Sequence, residues 1–79
     1  MGSTNRELRN YILNEDIPLL MKMNELAKRG PTGNFLELWK LIRVCIWKKL
    51  QNGSGLTDQE RVVREKLKRM VKYKRQQLH

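Results

Sequence analysis

Five basic residues recur at helical spacing near the end of the chain. They lie three, four, four and three positions apart and form what we call the basic stripe: Arg61, Arg64, Lys68, Lys72 and Arg75. On a helix these positions fall within about 80° of one another and extend over about 21 Å. Like charges one turn apart repel by a few tenths of a kcal/mol. A regular stripe of them therefore favours a surface that attracts a polyanion.

The net positive charge of the chain is concentrated in the same half as the basic stripe. The 79 residues include 17 Lys and Arg against 8 Asp and Glu, for a net charge of +9. Residues 1–39 are neutral overall, so residues 40–79 hold the entire excess. This asymmetry indicates a polyanionic partner, whether nucleic acid, anionic membrane or acidic protein. We expect the basic surface to extend to four further residues: Arg69, Lys40, Lys48 and Lys49.

The residue types that carry catalysis or bind metals are scarce. The chain has one histidine, His79, and one cysteine, Cys45, and most acidic residues stand at helix-capping positions. We therefore expect a non-enzymatic protein with no metal and no cofactor. A single cysteine cannot form an intramolecular disulfide, and we expect Cys45 to be a packed, unreactive thiol.

The apolar runs are too short for a signal peptide or a transmembrane segment, because charged residues interrupt them. Together with the single cysteine, this predicts an intracellular protein of the cytoplasm or nucleus.

Apolar residues at helical spacing and ordinary stop signals predict four helices, over about 5–14, 17–29, 35–51 and 58–77. Thr4 and Glu7 form one predicted capping box, and Thr57 and Glu60 another. Asn34 is the predicted N-cap of the third helix. No segment alternates as a strand does. We expect an all-α fold and a single domain over residues 1–79.

The third predicted helix is apolar around most of its circumference. Leu41 and Trp47 lie at the edges of its apolar arc, and seven residues lie at the centre: Phe35, Leu38, Trp39, Ile42, Cys45, Ile46 and Leu50. Such a helix is usually packed by neighbours on several sides. The sequence therefore predicts a compact bundle of four helices with a largely buried third helix and a long basic C-terminal helix.

Trp47 stands near Lys40 and Arg43 on the third helix. Two interpretations are open. Trp47 packs beneath the loop of residues 52–56, or it is half exposed and, with Arg43, contacts a partner or stacks on a nucleic-acid base.

No sequence pattern of a base-reading module is present, and the connection over 30–34 is longer than the turn of a helix-turn-helix. Our leading hypothesis is a protein that binds the backbone of DNA or RNA through the basic stripe. The interaction would depend mainly on phosphate contacts and would weaken steeply with salt.

Two further hypotheses remain. A small basic helical domain that begins Met-Gly is similar in general character to a retroviral matrix domain, and this resemblance implies a basic face on anionic lipid. The N-myristoylation pattern has Ser or Thr where this chain has Arg6. The third hypothesis is a protein-interaction or self-associating module that uses Trp47, Leu41 and Met21.

Overall fold

The structure is a computed structural model that describes residues 5–77, and this part of the chain contains four helices and no strand. The helices are α1 (Asn5–Leu13), α2 (Leu19–Arg29), α3 (Phe35–Gln51) and α4 (Asp58–Gln76). The all-α four-helix prediction is therefore confirmed, with helix ends that differ from the predicted ones by at most two residues. The predicted cap of α1 involves Thr4, which lies outside the described residues.

The N-caps of α3 and α4 are the predicted residues, but only that of α4 makes a capping bond with its side chain. Thr57 and Glu60 form the predicted capping box of α4. The N-cap of α2 is Pro18, and in the turn before it the Asn14 side chain accepts a hydrogen bond from the Asp16 N–H at 2.9 Å. Asn34 is the N-cap of α3, as predicted, but its side chain makes no capping bond. Its Oδ1 accepts from Arg29 Nη1 at 3.2 Å, so this amide ties the end of α2 to the start of α3.

The core forms where α3 meets the other three helices. Five of the eleven buried apolar side chains in the described part of the chain belong to α3: Phe35, Leu38, Trp39, Ile42 and Ile46. The other helices contribute two each: Leu8, Ile12, Met23, Leu26, Leu67 and Val71. Removal of this apolar surface from water is the main favourable term that holds the helices together.

The apolar arc of α3 is wider than the face that its neighbours cover. Within residues 5–77, α2 and α3 each pack on all three other helices, whereas α1 and α4 do not pack on each other. These neighbours nevertheless leave one side of α3 open towards its C-terminal end. Trp47 and Leu50 are 58% and 50% exposed there. The prediction that Leu50 belongs to the core is wrong for this reason.

Candidate polyanion-binding groove

A groove of about 650 Å³ runs between α3 and α4, and five cationic side chains line it. Four come from α4 and one from α3: Arg64, Lys68, Lys72, Arg75 and Arg43. Its floor is apolar and consists of Trp39, Ile46 and Val71, and Gln76 completes the lining. No acidic side chain lines the groove in the described part of the chain. We call this feature the basic groove.

The geometry of α4 explains how four members of the basic stripe reach the groove. Leu67 and Val71 anchor α4 in the core, and Lys68 and Lys72 each follow one of them directly. Successive residues are 100° apart on a helix, so the stripe runs along the edge of the buried face. Arg64 is half-buried at this edge, and Lys68, Lys72 and Arg75 are exposed.

Arg43 completes the groove from the opposite wall. The end of α3 lies beside the start of α4, since Lys49 meets Glu60 there, and the middle of α3 consequently lies beside the stripe. Arg43 was predicted to contact a partner together with Trp47. In the structure it is exposed and faces the same groove as Arg64 and Lys72.

Five of the nine predicted polyanion-binding residues lie outside the groove. Arg61 is exposed, with Nη1 at 3.7 Å from Asp58 Oδ1. Arg69 and Lys40 are exposed on α4 and α3 but do not line the groove. Lys48 lines a different groove, of about 400 Å³, which α1, the start of α2 and α3 form together.

Lys49 is the clearest departure from the predicted basic surface. Its Nζ donates to both carboxylate oxygens of Glu60, at 2.7 and 2.8 Å. This pairing neutralises Lys49, because its charge is compensated within the protein. The contacts of Lys49 therefore do not support the prediction that this residue extends the polyanion-binding surface.

Glu60 is buried, with 3% of its side chain exposed. Besides the two bonds from Lys49, Oε1 accepts from the Thr57 N–H at 2.8 Å, and the Glu60 N–H donates to Thr57 Oγ1 at 3.1 Å. Burial raises the pKa of Glu60, but the bonds from Lys49 and Thr57 and the charge of Lys49 outweigh it, so the pKa lies below its ordinary value. Glu60 thus joins α3 to the first turn of α4 at one end of the groove.

One carboxylate lies near the rim of the groove. Glu65 Oε2 is 3.4 Å from Lys68 Nζ, and both side chains are largely in solvent. An exposed pair of this kind contributes little, commonly less than about 1 kcal/mol. Lys68 can therefore exchange this contact for a stronger anionic ligand.

Trp47 is 58% exposed, so the interpretation in which it packs beneath the loop of residues 52–56 is wrong. It lies one helical turn after Arg43, beyond the edge of the basic groove. Leu41, which the protein-interaction hypothesis placed with Trp47, lies about 120° away on α3. It lines the second groove with Lys48, so Trp47 and Leu41 do not share one side of α3.

The second groove is formed by α1, the start of α2 and α3, and its lining is mainly apolar. Leu13, Ile17 and Val44 line it together with Cys45. Cys45 is half-buried, and its thiol donates to the backbone oxygen of Ile12 at 3.9 Å. This weak contact and the surrounding packing agree with a structural thiol.

Sequence reasoning missed the floor of the basic groove and the position of Arg43 within it. Trp39 and Ile46 were expected only at the centre of the apolar arc of the third helix. In the structure they and Val71 are core residues whose outer edges form the floor. One signal was available: Arg43 lies four residues from Trp39 and three from Ile46, on the same side of α3. Whether this side of α3 faces the basic stripe depends on how the helices pack, which the spacing does not reveal.

The described residues contain no helix that is long and apolar enough to cross a membrane. They also contain no cluster of three His, Cys, Asp or Glu side chains that could hold a metal ion. Comparison of the chain with protein-family models, with curated proteins and with solved structures found no match in any of the three.

Proposed function

We propose that this chain is a non-enzymatic nucleic-acid-binding protein that holds the phosphate backbone in the basic groove. The observation that carries the proposal is the convergence of five cations from two helices on one recess with no acidic lining. Like charges in a shared recess repel one another, and a bound phosphate chain would relieve that repulsion.

The chemistry of the lining suits phosphate. Arg43, Arg64 and Arg75 offer planar guanidinium groups that can bind phosphate oxygens in pairs, and Lys68 and Lys72 add mobile point charges. Arg64 to Arg75 extends over about 16 Å of helix. Since one strand carries a phosphate about every 3.4 Å in B-DNA, this length accommodates several phosphates.

A groove fits the linear phosphate backbone of a nucleic acid better than it fits a flat membrane surface. The apolar floor lies between the two cationic walls, so lipid head groups in a plane would meet the walls and leave the recess unfilled. We therefore favour nucleic acid over anionic lipid as the ligand of this groove, and the experiment below includes both.

The test is a binding titration of labelled duplex DNA, single-stranded DNA and RNA at about 50 and 200 mM salt, with phosphatidylserine vesicles in parallel. The groove variant is Arg64→Glu with Lys68→Glu. The matched control is Arg9→Glu with Lys66→Glu, two exposed residues outside the groove, which changes the net charge equally. Circular dichroism checks that both variants fold.

We expect the groove variant to bind nucleic acid at least about tenfold more weakly than the control variant at about 50 mM salt. The proposal is wrong if the wild-type protein binds no nucleic acid at this salt concentration. It is also wrong if the two variants lose equal affinity, because binding would then follow net charge alone. Vesicle binding without nucleic-acid binding would identify lipid as the ligand and would equally reject the proposal.

A further inference from the structure

We infer that the basic groove selects single-stranded over double-stranded nucleic acid, and that Trp47 provides the stacking platform for a base of the bound strand. The inference rests on the proposed function and narrows it to unpaired strands. It depends on two observations: the cations lie in a recess, and the most exposed aromatic side chain of the described residues lies just beyond the edge of that recess, one helical turn from Arg43.

The shape of the groove favours a strand that is thinner than a duplex. Its floor lies between α3 and α4, in a molecule whose extents are only 38 × 25 × 17 Å. A duplex is convex and would contact the rims, out of reach of half-buried Arg64. A single strand can bend its backbone into the recess and turn its bases outwards. Proteins that bind single strands without sequence preference combine a positively charged groove with exposed aromatic residues.

Trp47 is well placed to be that aromatic residue. It is 58% exposed, whereas Trp39, one of the floor residues, is buried. Residues four apart on a helix have Cβ atoms about 5–6 Å apart, so Trp47 is the immediate neighbour of Arg43 on the surface of α3. A strand whose phosphate contacts Arg43 therefore has a base within reach of the Trp47 indole.

The charge around Trp47 agrees with this role. Lys40 and Arg43 precede Trp47 on the same side of α3, and both are exposed. In the protein alone, a large part of the indole face is in contact with water, which is unfavourable for an apolar surface. A stacked base would cover this face, and every base can do so because each has a π-face.

The test uses three strands of about 12 nucleotides: oligo-dT, oligo-rU and a strand with the same number of phosphates but no bases. Duplex DNA of equal length is the fourth ligand. The variants are Trp47→Ala, Trp47→Phe and Leu50→Ala. Leu50 is a matched control because it is 50% exposed on the same end of α3 but has no aromatic face.

We expect oligo-dT and oligo-rU to bind more tightly than the abasic strand and the duplex. Trp47→Ala should weaken oligo-dT binding about 5- to 150-fold and leave the abasic strand unaffected. Trp47→Phe should restore part of the affinity, and Leu50→Ala should change it little. Quenching of the Trp47 fluorescence by oligo-dT, measured in a Trp39→Phe background, should accompany binding.

Three results would overturn the inference. The first is a wild-type protein that binds duplex as tightly as oligo-dT. The second is a Trp47→Ala variant that binds oligo-dT and the abasic strand as the wild type does, and the third is an equal loss in Leu50→Ala. In each of these cases the groove variant Arg64→Glu with Lys68→Glu would still lose binding. Failure of the proposed function is distinct, because the wild type would then bind no nucleic acid or the groove variant would lose no more affinity than its control variant.

Discussion

Lys49 and Glu60 join α3 to the start of α4 through an ion pair in which both carboxylate oxygens accept from one ammonium group, at 2.7 and 2.8 Å. The two residues lie on either side of the glycine-containing loop that connects the helices. Glu60 also completes the capping box with Thr57. One buried carboxylate therefore accepts from a backbone N–H at the start of α4 and holds α3 against α4 at one end of the basic groove. Its loss should weaken both the helix start and this contact between the helices.

Glu60→Gln should lower the free energy of unfolding by about 1–3 kcal/mol. The amide oxygen can still accept from the Thr57 N–H, but the charge that compensates Lys49 is lost, and Lys49 is only 31% exposed. Glu65→Gln is the matched control, because it removes one negative charge from the exposed pair with Lys68 and should change stability by less than about 0.5 kcal/mol. Urea unfolding followed by circular dichroism measures both. Equal effects of the two variants would contradict this role of Glu60.

Glu60 should also make stability depend on pH in the acidic range. Its pKa is lower in the folded protein than its ordinary value of 4.5. A carboxyl group of this kind contributes stability above its unfolded pKa, and the contribution is lost as the pH falls through the folded pKa. We therefore expect the difference in unfolding free energy between the wild type and Glu60→Gln to be constant near neutral pH and to shrink below about pH 4.5. A difference that is independent of pH down to complete acid unfolding would show that the prediction is wrong.

Asn34 should stabilise the protein through Arg29 and not as a helix cap. Its Oδ1 accepts from Arg29 Nη1 at 3.2 Å, and it makes no side-chain bond to the backbone of α3. Asn34→Ala should therefore destabilise the wild type but have little effect in an Arg29→Met background. Thr57→Ala, which removes an observed cap, should cost about 1 kcal/mol in both backgrounds. A loss for Asn34→Ala that persists without Arg29 would indicate capping instead.

The salt dependence of binding should report how many groove cations contact phosphates. For single strands, the slope of log K against log salt is about −0.7 per phosphate neutralised. If all five groove cations contact phosphates, the slope should be about −3.5, and if fewer do, it should be shallower. Lys72→Gln should make the slope shallower by about 0.7. Lys66→Gln, on the opposite side of α4, should leave it unchanged. If the two substitutions change the slope equally, the groove is not the contact surface.

The sequence by itself determined the secondary structure, because helices depend on interactions between residues three and four positions apart. The 3.6-residue period of the apolar positions and the Thr57–Glu60 capping box identified the four helices and the long basic α4. The alignment of Arg64, Lys68, Lys72 and Arg75 on one side of α4 follows from their spacing alone.

Tertiary packing decided what those residues face. Arg43 joins the groove because α3 lies against α4, and Lys49 leaves the basic surface because Glu60 of the next helix lies beside it. Asn34 binds Arg29 across the turn between α2 and α3, and Leu50 is exposed because the neighbouring helices leave that side of α3 uncovered. Each of these outcomes depends on how whole helices are placed against one another. The spacing of residues within one helix contains no information about that placement.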